Sequence, residues 1–230
     1  MKQRKGIFFL LLIVSSIFIR IFIGEPTKVS SSSMEPTIKS GDWLWISKVD
    51  YGAILPRRWA DIPILNIVTW IPDFRTKDIR TDWGYCRMRG FNKPDIGDIV
   101  VFNSPENIDV LLVKRISQIQ HANSLIHLDS TNYNNYNDII NQETEAKIKN
   151  GVIYINDTIC TYYKLRNNYY YLLGDNSSIS RDSRFFGYVS EKNLVGKVNR
   201  LIFSINKTQI NKDQSTRGSA WQPASYTQSR

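Results

Sequence analysis

The sequence predicts a mainly β protein, in which one N-terminal transmembrane helix precedes a compact antiparallel β-domain. Two observations support this prediction: an apolar run near the N-terminus, and short stretches rich in β-branched and aromatic residues after it. With 230 residues, 42% of them hydrophobic, the chain can bury one good-sized core or two small ones. The strand-like stretches are WLWISKV, DIVVFN, VLLVKRISQI, NSLIHLD, GVIYIN, TICTYYKL, YYYLLG and KVNRLIFSI.

Residues 6–24, GIFFLLLIVSSIFIRIFIG, predict the transmembrane helix. A helix of this length spans about 28 Å, close to the thickness of a bilayer core. Arg20 lies near its end, where a long side chain can extend to the headgroups. Basic residues within residues 1–5 precede the run, so we expect these residues in the cytoplasm and the rest of the chain outside. No second apolar run is long enough to cross a bilayer, which predicts a single-pass protein.

A cleavable secretory signal is the alternative reading of this run, with residues 6–19 as its apolar region. The downstream sequence RIFIGEPTKV is bulky and charged where a small-x-small cleavage site would be expected. The sequence therefore favours a retained anchor.

The β-domain is expected to cover residues 25–206, with two less regular parts inside it. Residues 51–96 form an insert rich in Trp, Arg and Pro, and residues 118–168 form a small variable subdomain, in which YNDIINQETEAKIKN fits a short helix or a surface loop equally well. Residues 207–230 are polar and rich in Ser, Thr and Gln, which predicts a disordered tail.

Tryptophan is concentrated just past the anchor. Five of the six tryptophans fall within 41 residues, namely Trp43, Trp45, Trp59, Trp70 and Trp83. Tryptophan together with arginine is typical of a lipid–water interface, so the insert is a candidate for membrane contact. Packing in the core of the β-domain is the alternative, and composition does not decide between the two.

The charge balance and the scarce residue types limit the chemistry. A net charge of +9 suits either nucleic acid or anionic lipid. Cys86 and Cys160 form no Cys-x-x-Cys pair, so they indicate neither a metal site nor a redox motif, and the sequence leaves open whether they are bonded. His121 and His127 lie in a polar region away from every motif, which makes a catalytic histidine improbable.

Without a histidine, a nucleophilic serine would need a carboxylate or a neutral lysine as its base. If DVLLVKRISQI is a strand, Lys114 is the only charge on a face shared with Val110, Leu112 and Ile116. Desolvation on such a face lowers the pKa of a lysine from its ordinary value near 10.4. Arg115 cannot serve, because a guanidinium does not deprotonate in proteins. The alternative is a lysine whose stem packs on the sheet while its amine reaches water.

Two hydroxyl-rich segments are candidates for the rest of a site. VSSSSMEPTIKSGDW, residues 29–43, contains four consecutive serines, and the residues alone do not choose among them. LLGDNSSISRDSRFFGYV, residues 172–189, is a polar loop in which Asp182 and Arg184 can pair. Nothing in its composition brings this loop to Ser33 or Lys114.

The ordered motifs SSSMEPTIKSGD, IGDIVVF, LVKRI and GDNSSISRDSRFFGYV, after an N-terminal anchor, resemble type I signal peptidases, which are membrane-anchored serine proteases of the Ser/Lys dyad class. The resemblance runs from the anchor to about Asn206 and is loose over residues 51–96 and 118–168. It implies a β-domain of signal-peptidase type. It also implies an endopeptidase that removes signal peptides from secreted preproteins at the outer face of the bacterial cytoplasmic membrane, cutting after small residues. The expected partners are signal peptides and the lipid bilayer, with no nucleic acid, metal or cofactor.

The resemblance also assigns roles. The serine directly before Met-x-Pro-Thr is Ser33, which becomes the nucleophile, and Lys114 becomes the general base. Ser31 would supply a hydroxyl to the oxyanion hole beside the Ser33 backbone N–H. Ser180 would bond and orient the lysine amine.

The remaining assignments concern support and specificity. Asp182 and Arg184 match an ion pair that supports the loop. The residues expected to line the substrate pocket, by position only, are Val29, Met34, Leu112 and Val113. Ser30, Ser32 and Ser177 depart from the family pattern, where Pro, Gly and Arg are usual.

Two other functions stay open at this point. One is a dedicated Ser/Lys processing peptidase with few substrates, which a substrate panel would separate from a general one. The other is a catalytically inactive, membrane-tethered scaffold protein, for which neither peptide cleavage nor acylation of Ser33 is expected.

Overall fold

A computed structural model describes residues 2–129, 133–144, 146–149, 152–156 and 158–204. The predicted tail, residues 207–230, lies outside the described residues. The strands are β1 (Gly24–Lys28), β2 (Trp43–Ser47), β3 (Ile99–Asn103), β4 (Leu111–Gln120), β5 (Leu125–His127), β6 (Ala146–Lys149), β7 (Val152–Ile155), β8 (Thr158–Ile159), β9 (Tyr162–Lys164), β10 (Tyr169–Leu173), β11 (Val189–Ser190) and β12 (Leu194–Phe203). The α-helices are α1 (Lys2–Phe18), α2 (Pro72–Arg80), α3 (Tyr133–Glu143) and α4 (Ser183–Phe186).

The prediction of a mainly β protein is confirmed. Seven strands form one antiparallel sheet in the order β1-β2-β12-β3-β4-β10-β11. Two smaller sheets pair β5 with β9 and β6 with β7 and β8. Because β1 and β11 are the two edges of the large sheet, the N-terminal helix enters at one edge and the small sheets lie towards the other.

The large sheet has an apolar cluster on each face, and β3 shows why. Its residues Ile99 and Val101 pack in one cluster, while Val100 and Phe102 pack in the other. A strand buried on both faces carries a continuous apolar run instead of alternating residues, as this strand does. The sheet is therefore a central layer between two cores.

The N-terminal segment is one continuous helix that meets the sheet directly. Helix α1 is extended by a π-helical turn, Ile19–Ile23, and β1 begins at the next residue. Within the described chain, one helix is long and apolar enough to cross a membrane, Lys5–Ile23. Its side chains are exposed in the protein, as the predicted anchor requires.

The small subdomain contains β5 to β9 and α3 around a core of its own. The segment that fitted either a helix or a loop is helical to Glu143 and then forms β6. Ile139 and Ile140 on this helix are fully buried. The Glu143 carboxylate accepts hydrogen bonds from the backbone and side chain of Asn167, from the backbone of Arg166, and from two tyrosine hydroxyls.

The insert of residues 51–96 contains α2 and two 3-10 turns, Trp59–Asp61 and Leu65–Trp70. Arg87 ties it to the sheet, since its guanidinium donates to the carbonyls of Gly52, Glu191 and Leu194. Four of the five clustered tryptophans have exposed side chains, namely Trp43, Trp59, Trp70 and Trp83. Core packing therefore does not account for them. Cys86 and Cys160 are both free.

Candidate active site

Ser33 lies in a tight loop after β1. Backbone hydrogen bonds continue from β1 into the loop, because the Val29 N–H donates to the Asp42 carbonyl (2.8 Å) and the Gly41 N–H donates to the Val29 carbonyl (2.8 Å). The side chains of Val29 and Met34 on either side of the serines are buried in the apolar cluster. The loop is thus held from both ends, and Ser33 itself is only 8% exposed.

Lys114 stands in the middle of β4, opposite Val100 of β3. Its side chain is 2% exposed, and its Nζ lies 2.6 Å from Ser33 Oγ. The amine therefore does not reach water, which excludes the alternative in which only the stem is buried. Burial lowers the pKa of Lys114, and the negative charges of Asp182 and Asp175 oppose that shift without reversing it.

The hydroxyl of Ser31 lies 3.2 Å from that of Ser33, within hydrogen-bonding distance. Ser31 is exposed, unlike its neighbour. A hydroxyl in this position can donate to an oxygen that approaches Ser33 from the open side. The structure thus brings together three of the residues that the sequence singled out.

The loop after β10 is organised by Asp182. This fully buried carboxylate accepts from the Gly174 N–H (3.0 Å) and from the Arg184 guanidinium through both oxygens (2.8 and 2.9 Å). Burial alone would raise the pKa of Asp182, but the bonds from Arg184 and Gly174 hold it at about 2. Arg184 also donates to the Ser177 carbonyl (2.9 Å), so the pair closes the loop.

Ser180 is buried in the same loop, where its hydroxyl helps to lower the pKa of Asp182, and no hydrogen bond joins it to the Lys114 amine in the described part of the chain. The expected bond to the Lys114 amine is therefore not formed in this structure. Gly174 explains how tightly the loop is packed. A Cβ at that position would lie 2.1 Å from Ser180 Oγ and 2.6 Å from the Ser33 carbonyl oxygen, so only glycine fits.

Two contacts were not predicted from the sequence. Arg115 forms a two-bond ion pair with Asp175 (2.9 and 2.7 Å), and the Asn176 N–H donates to the Ser33 carbonyl (3.0 Å). Burial alone would raise the pKa of Asp175, but the bonds from Arg115 hold it below its ordinary value. The sequence features that could have indicated these two contacts are the Gly-Asp-Asn triplet directly after a strand and the arginine beside the lysine.

The edge of β4 beside the site is open. β10 pairs with β4 from Arg115 to Gln120, and no described strand covers residues 111–114 on that side. Of the four expected pocket residues, Val29, Met34 and Val113 pack in one cluster. Leu112 packs against the cluster on the other face of the sheet, so the structure does not bring it to the other three.

The described residues contain no group of three or more His, Cys, Asp or Glu side chains that could hold a metal ion. The site consists of a buried amine in contact with a serine hydroxyl, a second hydroxyl nearby and an open strand edge. Such a site can perform acyl transfer on an extended peptide.

Comparison with known proteins gives a family match over nearly the whole described chain. The model described as "Signal peptidase, peptidase S26" matches residues 2–203. The signal peptidase I of Buchnera aphidicola subsp. Acyrthosiphon pisum is 26% identical, over 83% of this chain and 72% of that protein. The corresponding protein of B. aphidicola subsp. Baizongia pistaciae is 28% identical (85% and 74%), and that of Rickettsia conorii is 26% identical (92% and 83%).

Proposed function

Because this chain belongs to the signal peptidase family, peptidase S26, we propose that Ser33 is its nucleophile and Lys114 its general base. The protein is a serine endopeptidase of the signal peptidase I kind, and its substrates are the signal peptides of preproteins. The observation that supports the assignment of these two residues is the 2.6 Å contact between Lys114 Nζ and Ser33 Oγ in a buried setting.

The reaction begins when the neutral amine of Lys114 removes the proton of Ser33. The alkoxide attacks the scissile carbonyl, and the Ser31 hydroxyl and Ser33 N–H donate to the developing oxyanion, which contributes about 3–4 kcal/mol. The Lys114 ammonium then protonates the leaving amine, so the mature protein departs and an acyl-enzyme remains. Lys114, neutral again, removes a proton from water, which releases the signal peptide and restores both side chains.

The chemistry requires Lys114 to be neutral near its working pH, and its surroundings favour this. Desolvation lowers its pKa. The two nearby carboxylates would stabilise the ammonium, but Asp182 is paired with Arg184 and Asp175 with Arg115. Each arginine offsets much of the field of its partner at the amine. The two ion pairs therefore help to keep the amine in the neutral form that can accept a proton.

The open edge of β4 is the proposed site for the substrate backbone. A signal peptide in extended form would add as a strand along residues 111–114 and present its scissile bond to Ser33. The side chains before the cut would meet the surface formed by Val29, Met34 and Val113. Because Val29 and Met34 are buried in the core, they leave little exposed surface to receive a large side chain, which favours small residues. Leu112 would contribute to the strand edge through its backbone.

The protein is anchored in a membrane by its N-terminal helix. We place the N-terminus in the cytoplasm and the catalytic domain on the outer face of the bacterial cytoplasmic membrane, on the basis of the basic residues that precede the apolar run of the helix. Ser33 lies nine residues past Gly24, at most roughly 30 Å of extended chain from the span. The site is thus within reach of a peptide that emerges from the bilayer.

The insert is proposed as a second contact with lipid. Ile64 and Ile67 line a cleft together with Arg20 and Ile21 of the anchor's last turn, so they lie beside the point where the anchor leaves the bilayer. Trp70, at the end of the same segment, is 83% exposed. In bilayers containing brominated lipid, Trp70→Phe should remove a large share of the tryptophan quenching; undiminished quenching would contradict this contact.

The proposed roles are tested with the full chain in detergent. Incubation with a model preprotein, followed by mass spectrometry, should show a single cut after a small residue. Ser33→Ala and Lys114→Ala should each abolish it, while the exposed serine variant Ser40→Ala should leave it unchanged. Turnover by the Lys114→Ala protein would remove the dyad assignment.

A penem-type acylating inhibitor separates the remaining functions. Labelling of Ser33 is expected of a peptidase and not of an inactive scaffold protein. A panel of unrelated preproteins then distinguishes a general signal peptidase, which cuts most of them, from a dedicated processing enzyme that cuts one.

A further inference from the structure

The anchor and the catalytic sheet are joined without a linker. The helical turn ends at Ile23, and β1 begins at Gly24 and pairs with β2 along its whole length, from Gly24 opposite Ser47 to Lys28 opposite Trp43. A single-pass enzyme could equally well hang on a flexible tether, which would let its active site move relative to the bilayer. This one is attached by a strand of its own sheet.

Lys48 fastens the junction from the far end of β2. Its backbone N–H donates to the Ile23 carbonyl (2.9 Å), and its ammonium donates to the Arg20 carbonyl (2.9 Å). The same ammonium lies 3.0 Å from Glu25, whose other oxygen accepts from the Arg20 guanidinium (2.8 Å). The side chains of Lys48 and Glu25 are about 15% exposed, so this pair is better shielded from water than an ordinary surface pair, whereas the Arg20 side chain is largely exposed.

Gly24 allows the close approach. A Cβ at this position would lie 2.2 Å from the Ile46 carbonyl oxygen and 3.1 Å from the Trp45 ring. β1 therefore lies directly against β2 from the first residue after the helix. We refer to Arg20, Ile23, Gly24, Glu25 and Lys48 as the anchor junction.

The path from the anchor junction to the nucleophile is also rigid. Five residues of β1 advance the chain by about 17 Å. Val29 continues the pairing through Asp42 and Gly41, and the Ser33 carbonyl is held by the Asn176 N–H. Backbone bonds thus hold the path from Gly24 to Val29 and again at Ser33, with three serines between these two stretches.

We propose that the anchor junction is a specificity determinant of the peptidase. It holds Ser33 at a set distance from the bilayer, and so selects preproteins by the number of residues between their apolar segment and the scissile bond. Each extended residue of a substrate spans about 3.3 Å, so a change of two residues moves the scissile bond by about 7 Å. Misplacement on a much smaller scale already costs catalysis. The inference rests on the proposed role of Ser33.

The experiment uses full-length enzyme in bilayers and a series of preproteins in which the spacer between the apolar segment and the cleavage sequence grows by one residue at a time. The test variant carries Gly-Ser-Gly-Ser between Ile23 and Gly24. The matched control carries the same four residues between Lys2 and Gln3, on the other side of the anchor. A soluble peptide without an apolar segment reports the basal activity of each protein.

Wild type and the control variant should share one optimal spacer and lose about tenfold in rate two residues to either side. The junction variant should cut the whole series within about threefold while cleaving the soluble peptide normally. An unchanged, narrow profile in the junction variant, or a flat profile in wild type, would overturn the proposal.

If the junction variant does not cleave the soluble peptide, the Lys48→Met variant tests whether the anchor junction sets the preferred spacer length. It removes the ammonium contacts but keeps the backbone bond to Ile23, so it should broaden the spacer profile, and a wild-type profile would then count against the proposal. An error in the assignment of Ser33 would show differently, as cleavage of the soluble peptide by Ser33→Ala.

Discussion

Asp175→Asn should extend the activity of the enzyme to lower pH. In the proposed mechanism the neutral form of Lys114 is the active one, so the rate should rise as pH passes the pKa of Lys114. The negative charge of Asp175 raises this pKa. Its removal should therefore lower the pKa.

The structure sets the size of the effect. Asp175 is about 14% exposed and paired with Arg115, so its field at the amine is neither fully screened nor fully free. Unit charges about 4 Å apart interact by about 1 kcal/mol in water and about 4 kcal/mol at an effective dielectric constant near 20. For a charge that is partly screened we expect a value near the lower end, on the order of 1 kcal/mol. Since about 1.4 kcal/mol corresponds to a factor of ten, the rate below the pKa of Lys114 should rise several-fold and at most about tenfold.

The measurement is kcat/KM for a soluble peptide across the pH range, because its acid limb reports the free enzyme. Glu106→Gln is the matched control, since Glu106 forms a similar two-bond pair with Arg181 but is exposed to solvent. The acid side of the pH profile of Glu106→Gln should coincide with that of wild type. A limb for Asp175→Asn that stays in place, or moves to higher pH, would refute Lys114 as the titrating base.

Three further predictions concern the loop and the small subdomain. Gly174→Ala should lower the rate about a hundredfold without unfolding the protein, because the added Cβ meets the Ser33 carbonyl. The control is Gly6→Ala, whose Cβ meets nothing within 4 Å, and equal rates for the two variants would contradict the packing described. Asp182→Asn should lower the free energy of unfolding by about 1–2 kcal/mol at pH 7, since a pKa near 2 provides stability that is present above about pH 4 and lost as pH falls through 2. Urea unfolding should therefore show the loss at pH 7 and little difference near pH 2. Glu143→Gln should cost about 2–3 kcal/mol in the same assay, because its carboxylate serves several donors, and a loss below about 0.5 kcal/mol would show that these bonds are not stabilising.

Much of the fold could be predicted because local patterns specify it. The anchor follows from a long, mostly apolar run, and Lys114 and Ile116 of β4 are both buried, as strand alternation requires of residues two apart. The helix ending at Glu143 could not be predicted with equal ease. Its sequence is rich in Asn, which has a low helix propensity, and its stability comes from burying Ile139 and Ile140 in a core assembled from distant strands.

The site was only partly accessible from the residues. The buried lysine has a local signal, but Ser33 is distinguished from the other serines by its contact with Lys114, 81 residues further along the chain, and the family resemblance was needed to choose it. The bond expected from Ser180 to the lysine amine is not formed in this structure. Leu112 lies with the other core because neighbouring residues of a strand face opposite sides.

The alternation of β4 has a further consequence for the hairpin that precedes it. Lys114 and Arg115 are adjacent, residues 111–113 are all apolar, and so is most of β3. Hydrophobicity alone therefore barely distinguishes the observed pairing of β3 with β4 from a pairing shifted by one residue. A slipped strand would put a guanidinium, which cannot accept a proton, in place of the amine. The bonds from the Ser104 N–H to the Val110 carbonyl and from the Val110 N–H to Asn107 are what fix the hairpin's length. Inserting or deleting one residue there should therefore silence the enzyme while leaving a folded protein.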